Sequence, residues 1–135
     1  MIVTDTNLIV YLYVHGQHTG RAEGVLRRDP SWAAPLLWRS EFRNSLVGLV
    51  RRRALGLAEA ARVASDAERL LAGSEYSVAS GSVLQLALRS GCSAYDCEFV
   101  ALALDLEVRL VTSDRQVLKA FPDTAVSPED FATSS

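Results

Sequence analysis

The chain opens with Met1-Ile2-Val3-Thr4-Asp5-Thr6-Asn7, which puts a carboxylate directly after a β-branched pair. Ile2 and Val3 predict a strand, and the apolar run from Leu8 to Leu12 predicts a helical segment. Asp5 therefore falls where a strand ends and a helix begins. Two interpretations are open: Asp5 caps the helix by accepting from its first free amides, or it faces a ligand at the carboxyl edge of a parallel sheet.

Length and composition favour one compact domain spanning residues 1–135. Hydrophobic residues make up 49% of the chain, enough to bury a core. Its apolar stretches are too short to cross a membrane, and the N-terminus lacks the basic region of a signal peptide. We therefore expect a cytoplasmic protein with no membrane partner.

Net charge and cysteine content argue against a general nucleic-acid binder and against a zinc-binding protein. A net charge of −2 does not suggest a general nucleic-acid binder, although 13 of the 14 basic residues are arginine, which grips phosphate bidentately. Clusters occur at 27–28 and 51–53, and most such clusters are solvated helix surface. Cys92 and Cys97 lack CxxC spacing and neighbouring histidines, so we expect reduced, packed thiols and no zinc site.

Helices and short strands alternate along the chain, which predicts an α/β fold: a three-layer sandwich with a central, mostly parallel sheet between helices. The tail after Phe131 is expected to be loose. Helices are predicted at 21–28, 36–55, 57–72, 80–90, 94–106 and 114–120, and further strands at 32–34, 75–78, 108–112 and 124–127.

The helix predicted over 36–55 has two distinct faces. Trp38, Phe42 and Leu49 form an apolar stripe that should face the core. Beside it runs a line of small or polar residues: Glu41, Asn44, Ser45 and Gly48. A solvated face more often carries Lys, Arg and Glu throughout, so this line could border a wet cleft.

Three further acids occupy positions like that of Asp5. Asp96 follows Ser93 at the spacing of a capping box. Asp114 ends the run Leu110-Val111-Thr112-Ser113-Asp114 and repeats the strand-then-acid pattern, with an N-cap again the ordinary explanation. Glu41 has no helix end near it, and Arg39 and Arg43 lie outside the favoured i,i+4 spacing.

Together these acids could converge on one edge of a parallel sheet. Clustered carboxylates repel one another, and hard divalent cations such as Mg²⁺ or Mn²⁺ relieve that repulsion. A metal held in this way can activate water and stabilise charge on a phosphoryl group.

In four segments the chain resembles the PIN-domain family, in particular the VapC-type toxins of type II toxin–antitoxin pairs. The segments are 2–7, 37–44, 93–103 and 110–114, and their order and spacing run nearly from end to end. The resemblance implies a parallel sheet flanked by helices and a Mg²⁺- or Mn²⁺-dependent endoribonuclease. It also implies a small antitoxin partner and a homodimer.

The resemblance implies roles for particular residues. Asp5, Glu41, Asp96 and Asp114 match the catalytic, metal-holding acids of the family. Thr6, Asn7 and Ser113 would orient them or contact RNA. Many relatives carry a further acid after the fourth, where this chain has Arg115 and Gln116, which bears on a second metal ion. Arg39, Arg43 and the cluster at 51–53 are candidate phosphate contacts.

Three other functions are open. The protein could be a PIN nuclease in RNA or DNA processing without a toxin role. It could be a PIN fold that has lost catalysis and only binds, although the four acids argue against that. It could be a phosphatase with Asp5 as nucleophile, although such enzymes generally pair that acid with a second acid two residues on, where this chain has Asn7.

Overall fold

The structure, a computed structural model, describes residues 1–134. Over that range five parallel strands form a sheet in the spatial order β3-β2-β1-β4-β5. The strands are β1 (Ile2–Thr4), β2 (Trp32–Pro35), β3 (Glu75–Tyr76), β4 (Leu110–Val111) and β5 (Ala125–Val126). The helices are α1 (Thr6–Tyr13), α2 (Thr19–Arg28), α3 (Leu37–Arg51), α4 (Leu57–Leu71), α5 (Ser80–Ser90), α6 (Ala94–Leu106), α7 (Arg115–Ala120) and α8 (Pro128–Thr133).

The helices form two packed groups around the sheet. In one group α1 packs on α2, α3 and α4, and α3 and α4 contact β2. In the other group α5 packs on α6, which lies against β1, β2 and β4. The largest fully buried side chains include Trp32, Trp38, Phe42 and Leu102. This arrangement confirms the predicted α/β fold with a central parallel sheet.

The strand order creates a crevice between β1 and β4. From β1 the chain moves outward to β2 and β3, and it then returns to β4 on the other side of β1. Adjacent connections therefore leave β1 and β4 in opposite directions, which opens a crevice at the carboxyl ends of these two strands. Such a topological switch point is where open parallel sheets bind ligands.

Several element boundaries differ from the predicted ones. The third helix ends at Arg51 and not at Leu55, because Arg53 adopts a positive φ of 60° that turns the chain. Strands β3, β4 and β5 each contain two residues, fewer than predicted. The β-branched residues Val78, Val108 and Thr112 beside them lie in irregular connections, whose backbone the pattern alone does not distinguish from a strand.

The prediction of a loose tail after Phe131 was wrong for the described part of the tail. Helix α8 extends through Thr133, begins with Ser127 as N-cap and Pro128 in its first turn, and packs against α2. Phe131 lies under the Arg28 guanidinium, 5.3 Å from carbon to ring centroid, and Glu129 pairs with Arg21 at 2.7 Å. The last residue, Ser135, lies outside the described residues.

Candidate active site

A polar cavity of about 260 Å³ occupies the crevice between β1 and β4. Its acidic wall comes from four places: the segments that follow β1 and β4, the body of α3 and the first turn of α6. The lining residues are Asp5, Thr6, Asn7, Glu41, Asn44, Ser45, Asp96, Phe99, Leu110, Thr112, Asp114 and Val117. The structure thus brings the four predicted acids to one cavity, together with the small polar residues of α3.

Asp5 both caps α1 and faces the cavity. Its Oδ1 accepts from the backbone N–H of Leu8 at 2.9 Å, as an N-cap does. Its Oδ2 accepts from the hydroxyl of Thr112 at 2.6 Å. The two interpretations of this residue are therefore compatible, because each carboxylate oxygen has a second lone pair for a ligand.

Thr112 links the two acids that follow the central strands. While its hydroxyl donates to Asp5, the same oxygen accepts from the backbone N–H of Asp114 at 3.1 Å. Asp114 in turn caps α7, with its Oδ1 accepting from Val117 N–H at 2.9 Å. One buried hydroxyl thus adds a side-chain link at the ends of β1 and β4, beside the backbone pairing of the two strands.

Glu41 is fixed from the opposite side of the cavity. The Thr6 hydroxyl donates to Glu41 Oε1 at 2.7 Å, which links the first turn of α1 to α3. Neither Arg39 nor Arg43 pairs with Glu41 within residues 1–134. Glu41 therefore faces the cavity without a neutralising partner of opposite charge.

Asp96 lies in the first turn of α6. Its backbone N–H donates to Ser93 Oγ at 3.0 Å, which is the first half of the predicted capping box. Over residues 1–134 the reciprocal bond from Ser93 N–H to the Asp96 carboxylate is not formed. The carboxylate instead lines the cavity.

The pKa values of these carboxyls are shifted upward. Burial raises the pKa of Asp5 to about 6, and repulsion from Asp114 acts in the same direction. Hydrogen bonds from the Thr112 hydroxyl and from the backbone of Leu8 and Ser113 lower this pKa and only partly offset the effect of burial. Burial also raises the pKa of Glu41, and repulsion from Asp96 raises it further. The pKa of Asp96 is raised in the same way by burial and then by repulsion from Asp114. A cation bound among these carboxyls would stabilise their ionised forms.

The remaining predicted residues fall into two groups. Thr6 and Asn7 line the cavity, whereas Ser113 contributes its backbone N–H beside Asp5. Arg39 was a poor candidate for a phosphate contact, because its guanidinium binds Glu75 through two hydrogen bonds of 2.6 and 2.8 Å.

Two residues near the site were not predicted as parts of it. Thr112 carries the bridge between Asp5 and Asp114, and its position before an acid at a strand end was the available signal. Glu98 is a further acid beside Glu41; burial and then repulsion from Glu41 raise its pKa. Nothing in the sequence pattern distinguishes Glu98 from a solvated residue of α6.

The donor set fits a hard divalent cation. Within residues 1–134 no three acidic, histidine or cysteine side chains stand close enough to enclose a metal ion. Mg²⁺, however, commonly binds through one or two carboxylates and keeps waters and substrate phosphates as its other ligands. An open wall of carboxylates with amide and hydroxyl neighbours suits that mode of binding.

Comparison with known proteins identifies the family. The family model of the PIN domain matches residues 2–123, so the chain belongs to the PIN-domain family. Ribonuclease VapC3 from Pyrobaculum aerophilum is 29% identical over 124 residues, which cover 90% of this chain and 95% of that protein.

Solved structures share the fold at lower identity. PAE2754 from Pyrobaculum aerophilum has a TM-score of 0.77 and 20% identity, covering 97% of this chain and 92% of that one. A toxin–antitoxin complex from Klebsiella pneumoniae has a TM-score of 0.70 and 19% identity, covering 95% of this chain and 98% of that one. In residues 1–134 no helix is long and apolar enough to span a bilayer.

Proposed function

We propose that the protein is a Mg²⁺- or Mn²⁺-dependent endoribonuclease and the toxin of a type II toxin–antitoxin pair. The observation that carries the proposal is the cavity between β1 and β4, which four carboxylates from four elements line together. Three of them have raised pKa values, so the wall is poorly stabilised without a cation. The similarity to a ribonuclease of nearly the same length supports the same reaction.

Each acid has a role in this proposal. Asp5 and Asp96 would be the main metal ligands, and Glu41 and Asp114 would complete the wall and orient water. When bound, a divalent cation stabilises negative charge on the phosphoryl group and favours attack by water. Thr112 and Thr6 keep Asp5 and Glu41 in fixed orientations through their hydroxyl hydrogen bonds.

The proposed RNA substrate and antitoxin partner follow from the same site. RNA brings phosphate oxygens that can complete the coordination of the metal. A small antitoxin would cover the cavity with a segment whose Arg or Lys reaches the carboxylates. One of the solved structures with this fold is a toxin–antitoxin complex. We also propose a C₂ homodimer, acting in the cytoplasm.

Cleavage of a fluorescein-labelled single-stranded RNA tests the activity. Wild type should cut with Mn²⁺ and not with EDTA, and Asp5→Asn should not cut under either condition. Asp105→Asn is the matched control, because Asp105 is an exposed acid on α6 outside the cavity. Cutting by Asp5→Asn at the wild-type rate would contradict the proposal.

A separate experiment distinguishes a toxin from a processing nuclease. Induced expression should arrest growth, and co-expression of the neighbouring small open reading frame should relieve the arrest. If its product neither binds nor relieves the arrest, the toxin role is wrong while the nuclease activity can still hold.

A further inference from the structure

A second cavity adjoins the acidic one. It has a volume of about 390 Å³ and lies between α1 and α3. Its lining residues are Val10, Asn44, Ser45, Gly48, Leu49 and Arg52. Asn44 and Ser45 line both cavities, so the two form one continuous trough along α3.

Helix geometry sets the length of this trough. Glu41, Ser45, Gly48 and Arg52 are spaced three or four residues apart, so they follow one face of α3 and its C-terminal cap. From Glu41 to Arg52 the rise of an α-helix amounts to about 16 Å along the axis. The trough thus has carboxylates at one end and a guanidinium at the other.

Arg52 reaches into the trough because position 48 has no side chain. A Cβ built on Gly48 would lie 3.3 Å from Arg52 Nη1. In the described part of the chain no carboxylate lies within 4.0 Å of the Arg52 guanidinium, whereas Arg39 and Arg21 are each paired with glutamates. Arg52 is therefore available to an anion that enters the trough.

We propose that the trough binds the backbone of the RNA strand, with Arg52 contacting a phosphate several nucleotides away from the cleaved bond. The inference rests on the proposed function, since it takes the acidic end as the point of cleavage. Arg binds phosphate bidentately. Asn44 and Ser45, between the two ends, can donate to phosphate or ribose oxygens, which orients a strand without reading its sequence.

The charge pattern favours a nucleic acid strand over a protein segment. An occupant must present anionic oxygens both to a metal at the carboxylates and to Arg52 at the far end. A strand with a phosphate on every nucleotide satisfies both ends in any register. Between the two ends the lining combines the small or polar Asn44, Ser45 and Gly48 with two apolar side chains, Val10 and Leu49. Two apolar side chains are fewer than the row of anchors that seats an amphipathic peptide helix.

Steady-state cleavage of a labelled single-stranded RNA in Mn²⁺ tests this assignment. Arg52→Gln should raise KM roughly tenfold, the loss expected for a charge-assisted hydrogen bond, and leave kcat unchanged. The slope of log KM against log salt should fall by about 0.7, because one phosphate contact is lost. Arg62→Gln is the matched control, since Arg62 is exposed on α4 and lines neither cavity.

A second variant tests the trough without removing charge. Gly48→Leu fills the space beside Arg52 and should also raise KM, although it should melt no lower than wild type because glycine is a poor helix former. Gly20→Leu is its control, because Gly20 is exposed on α2 with open space around it. A rise in KM for Gly48→Leu but not for Gly20→Leu would support RNA binding in the trough.

The outcomes distinguish a failure of the assignment of Arg52 from a failure of the proposed function. If wild type cuts RNA and Arg52→Gln has the KM and salt slope of Arg62→Gln, the inference is wrong and the proposed function stands. If Arg52→Gln loses affinity only for the product of the neighbouring small open reading frame, the trough binds a protein and the inference is again wrong. If wild type does not cut RNA, the proposed function and this inference both fail.

Discussion

The Thr112 hydroxyl donates a hydrogen bond of 2.6 Å to Asp5 Oδ2, across 107 positions of sequence. This contact joins the carboxyl ends of β1 and β4, the two strands that border the acidic cavity. It also opposes the effect of burial on the pKa of Asp5, since it stabilises the ionised carboxylate. A single hydroxyl thus connects the packing of the sheet to the charge state of the site.

Loss of this hydroxyl should destabilise the protein. Thr112→Val keeps the shape of the side chain but leaves Asp5 Oδ2 and the Asp114 N–H without a partner. We expect the free energy of unfolding to fall by about 1–3 kcal/mol, the cost of leaving partly buried polar groups without a partner. Urea denaturation measures it. Thr112→Ser keeps the hydroxyl and removes only the methyl group, so it should lose less stability. A loss for Thr112→Ser larger than that for Thr112→Val would show that packing of the methyl group, and not the hydroxyl bridge, carries the stability.

The stability of the metal-free protein should depend on pH through Asp5. Its pKa is about 6 in the folded protein against an ordinary value of 3.8. Between these values the folded state binds more protons than the unfolded state. The free energy of unfolding should therefore fall as pH rises from about 4 to about 6, by about 3 kcal/mol.

Substitution of Asp5 tests the origin of that pH dependence. Asp5→Asn retains an oxygen to cap α1 and removes the titrating group. It should therefore abolish most of the decrease in the free energy of unfolding between about pH 4 and about pH 6. A smaller decrease should remain because the pKa values of Glu41 and Asp96 are also raised. Asp105→Asn should keep the full fall. Urea titrations in EDTA across this pH range give the slopes, and an unchanged slope in Asp5→Asn would rule out Asp5 as their source.

Arg39 should contribute to stability and not to catalysis. It binds Glu75, whose other partner is the Trp38 indole N–H at 2.8 Å. Arg39→Gln leaves the Glu75 carboxylate with fewer donors, so we expect a lower melting temperature, by less than Thr112→Val produces. RNA cleavage should keep the wild-type rate, because Arg39 does not line the cavity. A slower cleavage rate in a folded Arg39→Gln protein would restore it as a substrate contact.

Much of the fold could be predicted because its signals are local. The helices α5 and α6 match their predicted bounds, since Gly91 ends the first with a φ of 79° and Ser93 caps the second. Helix α8 was missed although Ser127 and Pro128 are a local signal for a helix start, because its six residues are too few for an apolar period and its packing partner α2 is distant in sequence. Short polar segments that depend on such packing carry no periodic pattern of their own.

The convergence of the candidate acids could be predicted from the sequence, whereas the hydrogen bonds that hold them could not. Acids that follow parallel strands are expected at one edge of the sheet, and Asp5 and Asp114 line the same cavity. Sequence spacing does not reveal that Thr6 would donate to Glu41, or that Arg39 would be bound to Glu75. These pairings depend on how helices and strands from separate parts of the chain approach one another.

Thermal melting of wild type and Asp96→Asn, each with EDTA and with Mn²⁺, tests most directly whether the four acids form a metal site. Ser93 Oγ accepts from the backbone of residue 96, so the asparagine variant retains the helix cap. Without metal it should melt at or above wild type, because repulsion within the acidic wall is reduced.

Mn²⁺ should raise the melting temperature of wild type and not of Asp96→Asn. At a hundred times the dissociation constant the gain in the free energy of unfolding is roughly 2.7 kcal/mol. RNA cleavage should disappear in the variant and in wild type with EDTA. If Mn²⁺ moves neither melting curve, and Asp96→Asn melts below wild type while still cutting RNA, the four acids do not form a metal site.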